Sequence, residues 1–141
     1  MPDRVSGFSI IDVLMAKKIL LIDSDKETLS CITVVLVSEG YEVMGHTSAK
    51  DIGANILAFK PDLILLNFAF PKPEGMNMYK AIKVDYSKRS VPVLMISTKN
   101  NVREIEKHSN DEIILKPFDL NDLLEKVRET MHPKIVRFTA S

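Results

Sequence analysis

Apolar residues gather in four short blocks, at positions 19–22, 63–66, 93–96 and 113–115, and each block is followed by a polar residue. Blocks this short and this uninterrupted suit strands buried on both faces, as in a parallel sheet. A fifth segment, 41–46, alternates more and reads as an edge strand. Helical spacing fills the gaps. Ser24-Asp25-Lys26-Glu27 has the spacing of a capping box. A helix comes after it with Leu29, Ile32 and Leu36 on one face and stops at Gly40, a natural residue just past a helix end. A second helix starts after Ser48, carries Ile52, Ile56 and Phe59 in register, and is closed by Pro61. A third is expected over roughly 76–85 and a short fourth over about 102–107. The last starts after Asp119 and places Leu120, Leu123, Leu124, Val127 and Met131 at helical spacing.

Strand and helix thus alternate five times. The expected fold is α/β: a three-layer, doubly wound, five-stranded parallel sheet with helices on both faces and strand order 2-1-3-4-5. In that order ligands bind beyond the carboxyl ends of the strands, at the switch point between the first and third.

Composition narrows the choices. A chain of 141 residues that is 45% hydrophobic can bury one substantial core, and 16–132 is expected to be that domain. Residues 1–15 read as an N-terminal extension and 133–141 as a tail. The formal net charge is zero, which argues against a nucleic-acid surface. The single cysteine, Cys31, excludes an intrachain disulfide and fits a cytoplasmic protein. No apolar run reaches the roughly 20 residues that a membrane span needs, and the start lacks the pattern of a signal peptide.

Chemistry-bearing residues fall at the ends of the predicted strands: Asp23-Ser24-Asp25 after the first, Asn67 after the third, Ser97 after the fourth and Lys116-Pro117-Phe118 after the fifth. Singly, each has a bland reading: a helix cap, a turn residue, a hydroxyl satisfying a backbone group, a solvated strand end. Together they converge from distant parts of the chain on one end of the sheet.

These segments resemble the receiver domains of two-component response regulators. The resemblance runs from Lys17 to about Met131. It rests on Lys18-Ile19-Leu20-Leu21-Ile22-Asp23, Glu39-Gly40-Tyr41-Glu42-Val43, Lys60-Pro61-Asp62 before the third strand, Pro71-Lys72-Pro73-Glu74-Gly75, Val91-Pro92-Val93 and Lys116-Pro117-Phe118. It implies a signalling module rather than an enzyme. In the family, an aspartate ending the third strand takes a phosphoryl group from a histidine kinase. Two acids after the first strand help hold Mg²⁺, and a hydroxyl residue and the lysine contact the phosphoryl oxygens. Here Asp23 keeps the first acidic position, and Ser97 and Lys116 keep the hydroxyl and the lysine. Ser24 stands where the second acid belongs, and Asn67 where the phosphoacceptor belongs. Ile113 takes a position at which many receivers carry an aromatic switch residue. The stretch from Ser97 to Lys116 is shorter than usual by about one helical turn, so the fourth helix should be stunted.

The substitutions change the chemistry expected of the pocket. Acyl-phosphate formation needs a carboxylate nucleophile, and the Asn67 amide is neutral, able only to accept or donate hydrogen bonds. Mg²⁺ wants charged oxygen ligands, so Asp23, with help at most from Asp25, should bind it weakly at best, and no other cofactor is expected. Lys116, without its usual carboxylate neighbour, is expected to pair with Asp23. The expectation is a pseudo-receiver acting by protein–protein contact with a signalling partner such as a histidine kinase or a downstream effector. The alternative is a flavodoxin-like cofactor-binding or enzymatic domain. Its phosphate loop after the first strand should be rich in Ser, Thr and Gly with free N–H groups, whereas Asp23-Ser24-Asp25 repels phosphate.

The remaining residues add little. His46, His108 and His132 lack metal-ligand spacing and read as surface or incidental residues. Met76 and Met78 read as packing residues. The five glycines form neither a dinucleotide fingerprint nor a P-loop. Val34 and Val37, however, fall on the face of the first helix opposite its core residues, and an apolar stretch, 8–14, lies just upstream. The expectation is that 8–14 covers those valines, within one chain or across a homodimer.

Overall fold

The computed structural model describes residues 16–48, 50–67, 79–80, 82, 91–98, 102–103, 106 and 112–131, and the backbone of 4–5 and 8–9. Five parallel strands form one sheet: β1 (Lys18–Ile22), β2 (Glu42–His46), β3 (Leu63–Asn67), β4 (Val93–Ser97) and β5 (Glu112–Leu115). Their order is β2-β1-β3-β4-β5, the expected 2-1-3-4-5. Three helices are described along most of their length: α1 (Lys26–Ser38), α2 (Ile52–Phe59) and α3 (Leu120–Met131). Of the expected third helix, Tyr79, Lys80 and Ile82 are described and helical. Of the fourth, Val102, Arg103 and Glu106 are. The rest of both lies outside the described residues, as does Pro71 to Gly75.

The period-2 geometry of a strand sorts each apolar block between two faces. Leu20, Ile22, Ile64, Leu66, Val93 and Met95 point to one face and pack with Ile52, Ile56 and Phe59 of α2, joined by Tyr79 and Ile82. Ile19, Leu21, Leu63, Leu65, Leu94 and Ile96 point to the other and pack with Ile32 and Leu36 of α1 and Leu123 and Val127 of α3. The central strands therefore need apolar residues at every position, and every residue of β3 and β4 is buried. Each fully buried side chain of the Leu or Ile class contributes about 1.5–3 kcal/mol. The edges differ. β2 is an edge strand, as expected, and none of its residues is fully buried; β5 is the other edge, and Leu115 is 39% exposed.

Caps set where the helices begin and end. At α1 the cap is Asp25, not Ser24: the Asp25 carboxylate accepts from the Glu27 N–H at 3.2 Å and from the Thr28 hydroxyl at 2.6 Å. The reason lies just upstream. The Asp25 N–H donates to Asp23 Oδ1 at 2.9 Å, and that turn places the helix start one residue later than the capping-box spacing suggests. The other end of α1 is a Schellman motif. Gly40, at φ 95°, donates to the Val37 carbonyl at 3.0 Å, and Tyr41 donates to Leu36 at 3.2 Å. α2 ends on Lys60 at φ 55°, just before the buried Pro61. At α3 the Asp119 carboxylate accepts from the Asp122 N–H at 2.7 Å.

Arg4–Val5 and Phe8–Ser9 pair as a short antiparallel ladder, while 10–15 lie outside the described residues. Val34 is 68% and Val37 49% exposed. The expected cover over these valines, by residues 8–14, lies outside the described residues apart from the backbone of Phe8–Ser9.

Candidate functional site

Parallel register brings the carboxyl ends of the strands into line. Ile22 pairs with His46 and Leu66, Asn67 with Ile96, and Ser97 with Leu115. Asp23 comes directly after β1, Asn67 ends β3, Ser97 ends β4 and Lys116 comes directly after β5, so the residues singled out at the strand ends stand along one edge of the sheet.

At its centre is a direct bond between two buried side chains. Asn67 Nδ2 donates to Asp23 Oδ2 at 2.7 Å, with Asp23 fully buried and Asn67 2% exposed. Asp23 Oδ1 already accepts from Asp25, so both carboxylate oxygens are engaged by N–H donors. Burial of a carboxylate is tolerated only with such partners, and the amide supplies one that an aspartate at position 67 would lack. Asn67 Oδ1 is buried and finds no donor among the described residues.

The other predicted residues are placed less tightly. Ser97 is fully buried, and its hydroxyl donates to the Thr98 carbonyl at 3.0 Å. Lys116 is half-buried, and its backbone N–H donates to the Ser97 carbonyl at 2.8 Å; its peptide bond to Pro117 is cis. The expected pairing of Lys116 with Asp23 does not form: among the described residues Asp23 is held by two N–H groups and makes no ion pair. Ser24 is exposed and makes no hydrogen bond among the described residues. Asp25 is turned to the α1 N-terminus. The Thr28 hydroxyl first, then the Glu27 amide, hold its carboxyl below the usual carboxylate range.

Two features were not read from the sequence. His46 was expected to be a surface or incidental residue, and it is part-buried. Its Nε2 is buried without a partner among the described residues, and its carbonyl accepts from the Asp23 N–H at 3.0 Å. Its place as the last residue of β2, level with Ile22, is the signal that locates it. Asp62 locks the opposite end of β1, accepting from the Lys18 N–H at 2.7 Å while its own N–H donates to the Lys18 carbonyl at 2.7 Å.

Among the described residues no group of three His, Cys, Asp or Glu side chains stands together. The buried Asp23 carboxylate is already bonded on both oxygens, and its neighbour Asn67 points an N–H toward it.

The chain matches the response regulator receiver domain over residues 19–128, and it belongs to that family. Among curated relatives, the phosphate regulon transcriptional regulatory protein PhoB of Pseudomonas aeruginosa is 28% identical over 122 residues, covering 84% of this chain and 53% of that protein. The DNA-binding dual master transcriptional regulator RpaA of Synechocystis sp. is 28% identical over 114 residues, covering 79% and 47%. The chain thus spans about half the length of the curated relatives it matches. Among solved structures, the CheY-like receiver domain protein of Methanospirillum hungatei JF-1 superposes with a TM-score of 0.68 at 28% identity, over 82% of this chain and 94% of that one. Chemotaxis protein CheY4 of Vibrio cholerae gives 0.70 at 21% identity over 82% and 98%, a likeness of fold. Receivers are signalling domains of two-component systems rather than enzymes, and the flavodoxin-like alternative is not favoured. No helix among the described residues is long and apolar enough to cross a membrane.

Proposed function

We propose that this receiver does not accept a phosphoryl group and signals by protein–protein contact, as a pseudo-receiver in the cytoplasm. The observation that carries the reading is the buried Asn67–Asp23 bond of 2.7 Å. The position that needs a carboxylate nucleophile holds an amide, whose nitrogen lone pair is delocalised into its carbonyl, and the amide N–H is committed to stabilising Asp23. Mg²⁺ binds weakly, because Ser24 and Asn67 stand in place of two charged ligands and Asp23 is already satisfied. The pocket serves as a fixed polar plug that holds the strand ends in one arrangement. Recognition by a histidine kinase or a downstream effector then reads the surface, not a phosphorylation state.

The test is incubation with radiolabelled acetyl phosphate and Mg²⁺, and separately with an autophosphorylated histidine kinase. The expected result is no acid-stable, alkali-labile label on this chain. Stoichiometric label at Asn67 or a neighbour would overturn the proposal.

A further inference from the structure

β2 is the edge of the sheet beyond β1. The Glu42 N–H donates to the Lys17 carbonyl at 2.9 Å, and the His46 carbonyl accepts from the Asp23 N–H at 3.0 Å, so Glu42, Met44 and His46 turn their main-chain groups toward β1. Strand alternation turns those of Val43 and Gly45 outward, and among the described residues they meet no partner there. Such an edge is a template for another strand.

The side chains alternate as well. Met44 packs against the core on the α2 face, so Glu42 and His46 stand on that face with it, at the two ends of the strand. Glu42 is exposed, whereas His46 Nε2 is buried and unmet among the described residues. The two cannot meet within one chain, because the strand sets them about 13 Å apart. On the opposite face Gly45 presents no side chain to an approaching strand, and Leu29 fills the space, 3.2 Å from where a β-carbon would sit.

We propose that β2 pairs antiparallel with β2 of a second copy, about a two-fold axis at Met44, so that two five-stranded sheets join into one. Val43 stands opposite Gly45 of the second copy, and each such pair exchanges both N–H···O bonds. Glu42 stands opposite His46 of the second copy on the α2 face, and the symmetry makes this contact twice. The pairing brings a carboxylate to an imidazole whose Nε2 has no partner among the described residues of its own chain. Shifting the register by two residues in either direction sets Glu42 opposite Met44 or Ser48 and loses that contact. The charge pattern of β2 is thus complementary to itself read backwards, and this selects a second copy as the occupant of the edge.

Sedimentation equilibrium and amide hydrogen exchange on the full chain, in reducing buffer, test this. The mass should rise toward twice that of the chain as concentration increases. The Val43 and Gly45 amides should become protected in step, while those of Ile113 and Leu115 on the far edge do not change. Val43→Pro removes an outward donor that the ladder with β1 does not use, and it should return the chain to a monomer with an unchanged circular dichroism spectrum. Glu42→Lys sets a cation against the imidazole at both symmetric contacts and should weaken association about tenfold. If Val43→Pro does not fold, Glu42→Lys decides. A chain that stays monomeric at submillimolar concentration, or a dimer whose affinity either folded variant leaves unchanged, would overturn the proposal. Protection of Val43 and Gly45 that does not depend on concentration would also overturn it, by assigning the edge to another segment of the same chain.

Discussion

Replacing Asn67 by aspartate places two carboxylates where one carboxylate and one amide now share a bond. In the present chain Asn67 Nδ2 donates to Asp23 Oδ2 at 2.7 Å with both residues out of water. The substitution removes a hydrogen bond to a charged group, worth about 1.5–3 kcal/mol. It also sets two negative charges roughly 4 Å apart, a repulsion of about 4 kcal/mol at the effective dielectric of such sites. Lys116, half-buried next to Ser97, can turn toward the pair and offset part of this, leaving a net loss of about 2–4 kcal/mol. That is a large share of the roughly 5–15 kcal/mol by which a domain is stable. The introduced carboxyl titrates above the usual carboxylate range. A raised folded-state pKa contributes stability that is present at low pH and lost as pH rises through it, so the deficit is largest at neutral pH and shrinks under mild acid. Urea unfolding followed by circular dichroism, in metal-free buffer at both pH values, measures it. At neutral pH the midpoint should fall by about 1–2 M, and millimolar Mg²⁺ should recover much of the loss. A variant with an unchanged midpoint, or one whose deficit ignores both pH and Mg²⁺, would refute the electrostatic account of the pocket.

Other substitutions probe the frame around it. Gly40→Ala forces a β-carbon into φ 95° at the end of α1 and should cost about 1–2 kcal/mol, read as a lower urea midpoint with an unchanged slope. Val34→Asp, at a position 68% exposed, should change stability by less than about 0.5 kcal/mol. A larger loss, or a change of solution mass, would mean that a cover lies over that face. Thr28→Val removes the strongest partner of the Asp25 carboxyl, whose depressed pKa contributes stability above the unfolded value and loses it as pH falls. The variant should therefore melt lower than the parent at neutral pH, and the difference should narrow under acid.

The sheet was legible because its signal is strong and local. Uninterrupted blocks such as Leu63-Ile64-Leu65-Leu66 have no stable place except a strand covered on both faces, and this one ends on the polar residue that lines the pocket. Gly40 was legible for a similar reason, since few residues tolerate its backbone angle. What escaped the sequence depends on competition between partners in space. Ser24 and Asp25 both have capping chemistry, and Asp23, by taking the Asp25 N–H, decided between them. The expected Lys116–Asp23 pair lost to two N–H donors already in contact with the carboxylate. His46 looked incidental because burial at a strand end comes from its neighbours and leaves no local mark. Leu115 read as an interior residue because an apolar block does not say how fully a neighbouring helix covers each side chain of an edge strand.

The central claim is that Asn67 closes the phosphoryl cycle, and intact-protein mass spectrometry after incubation with acetyl phosphate and Mg²⁺ tests it most directly. The parent chain should gain no mass. The paired change Ser24→Asp with Asn67→Asp, which restores the nucleophile and the second acid, should gain a single phosphoryl group, lost again on standing at alkaline pH. Phosphorylation of the parent to the same extent as the paired variant would contradict the account.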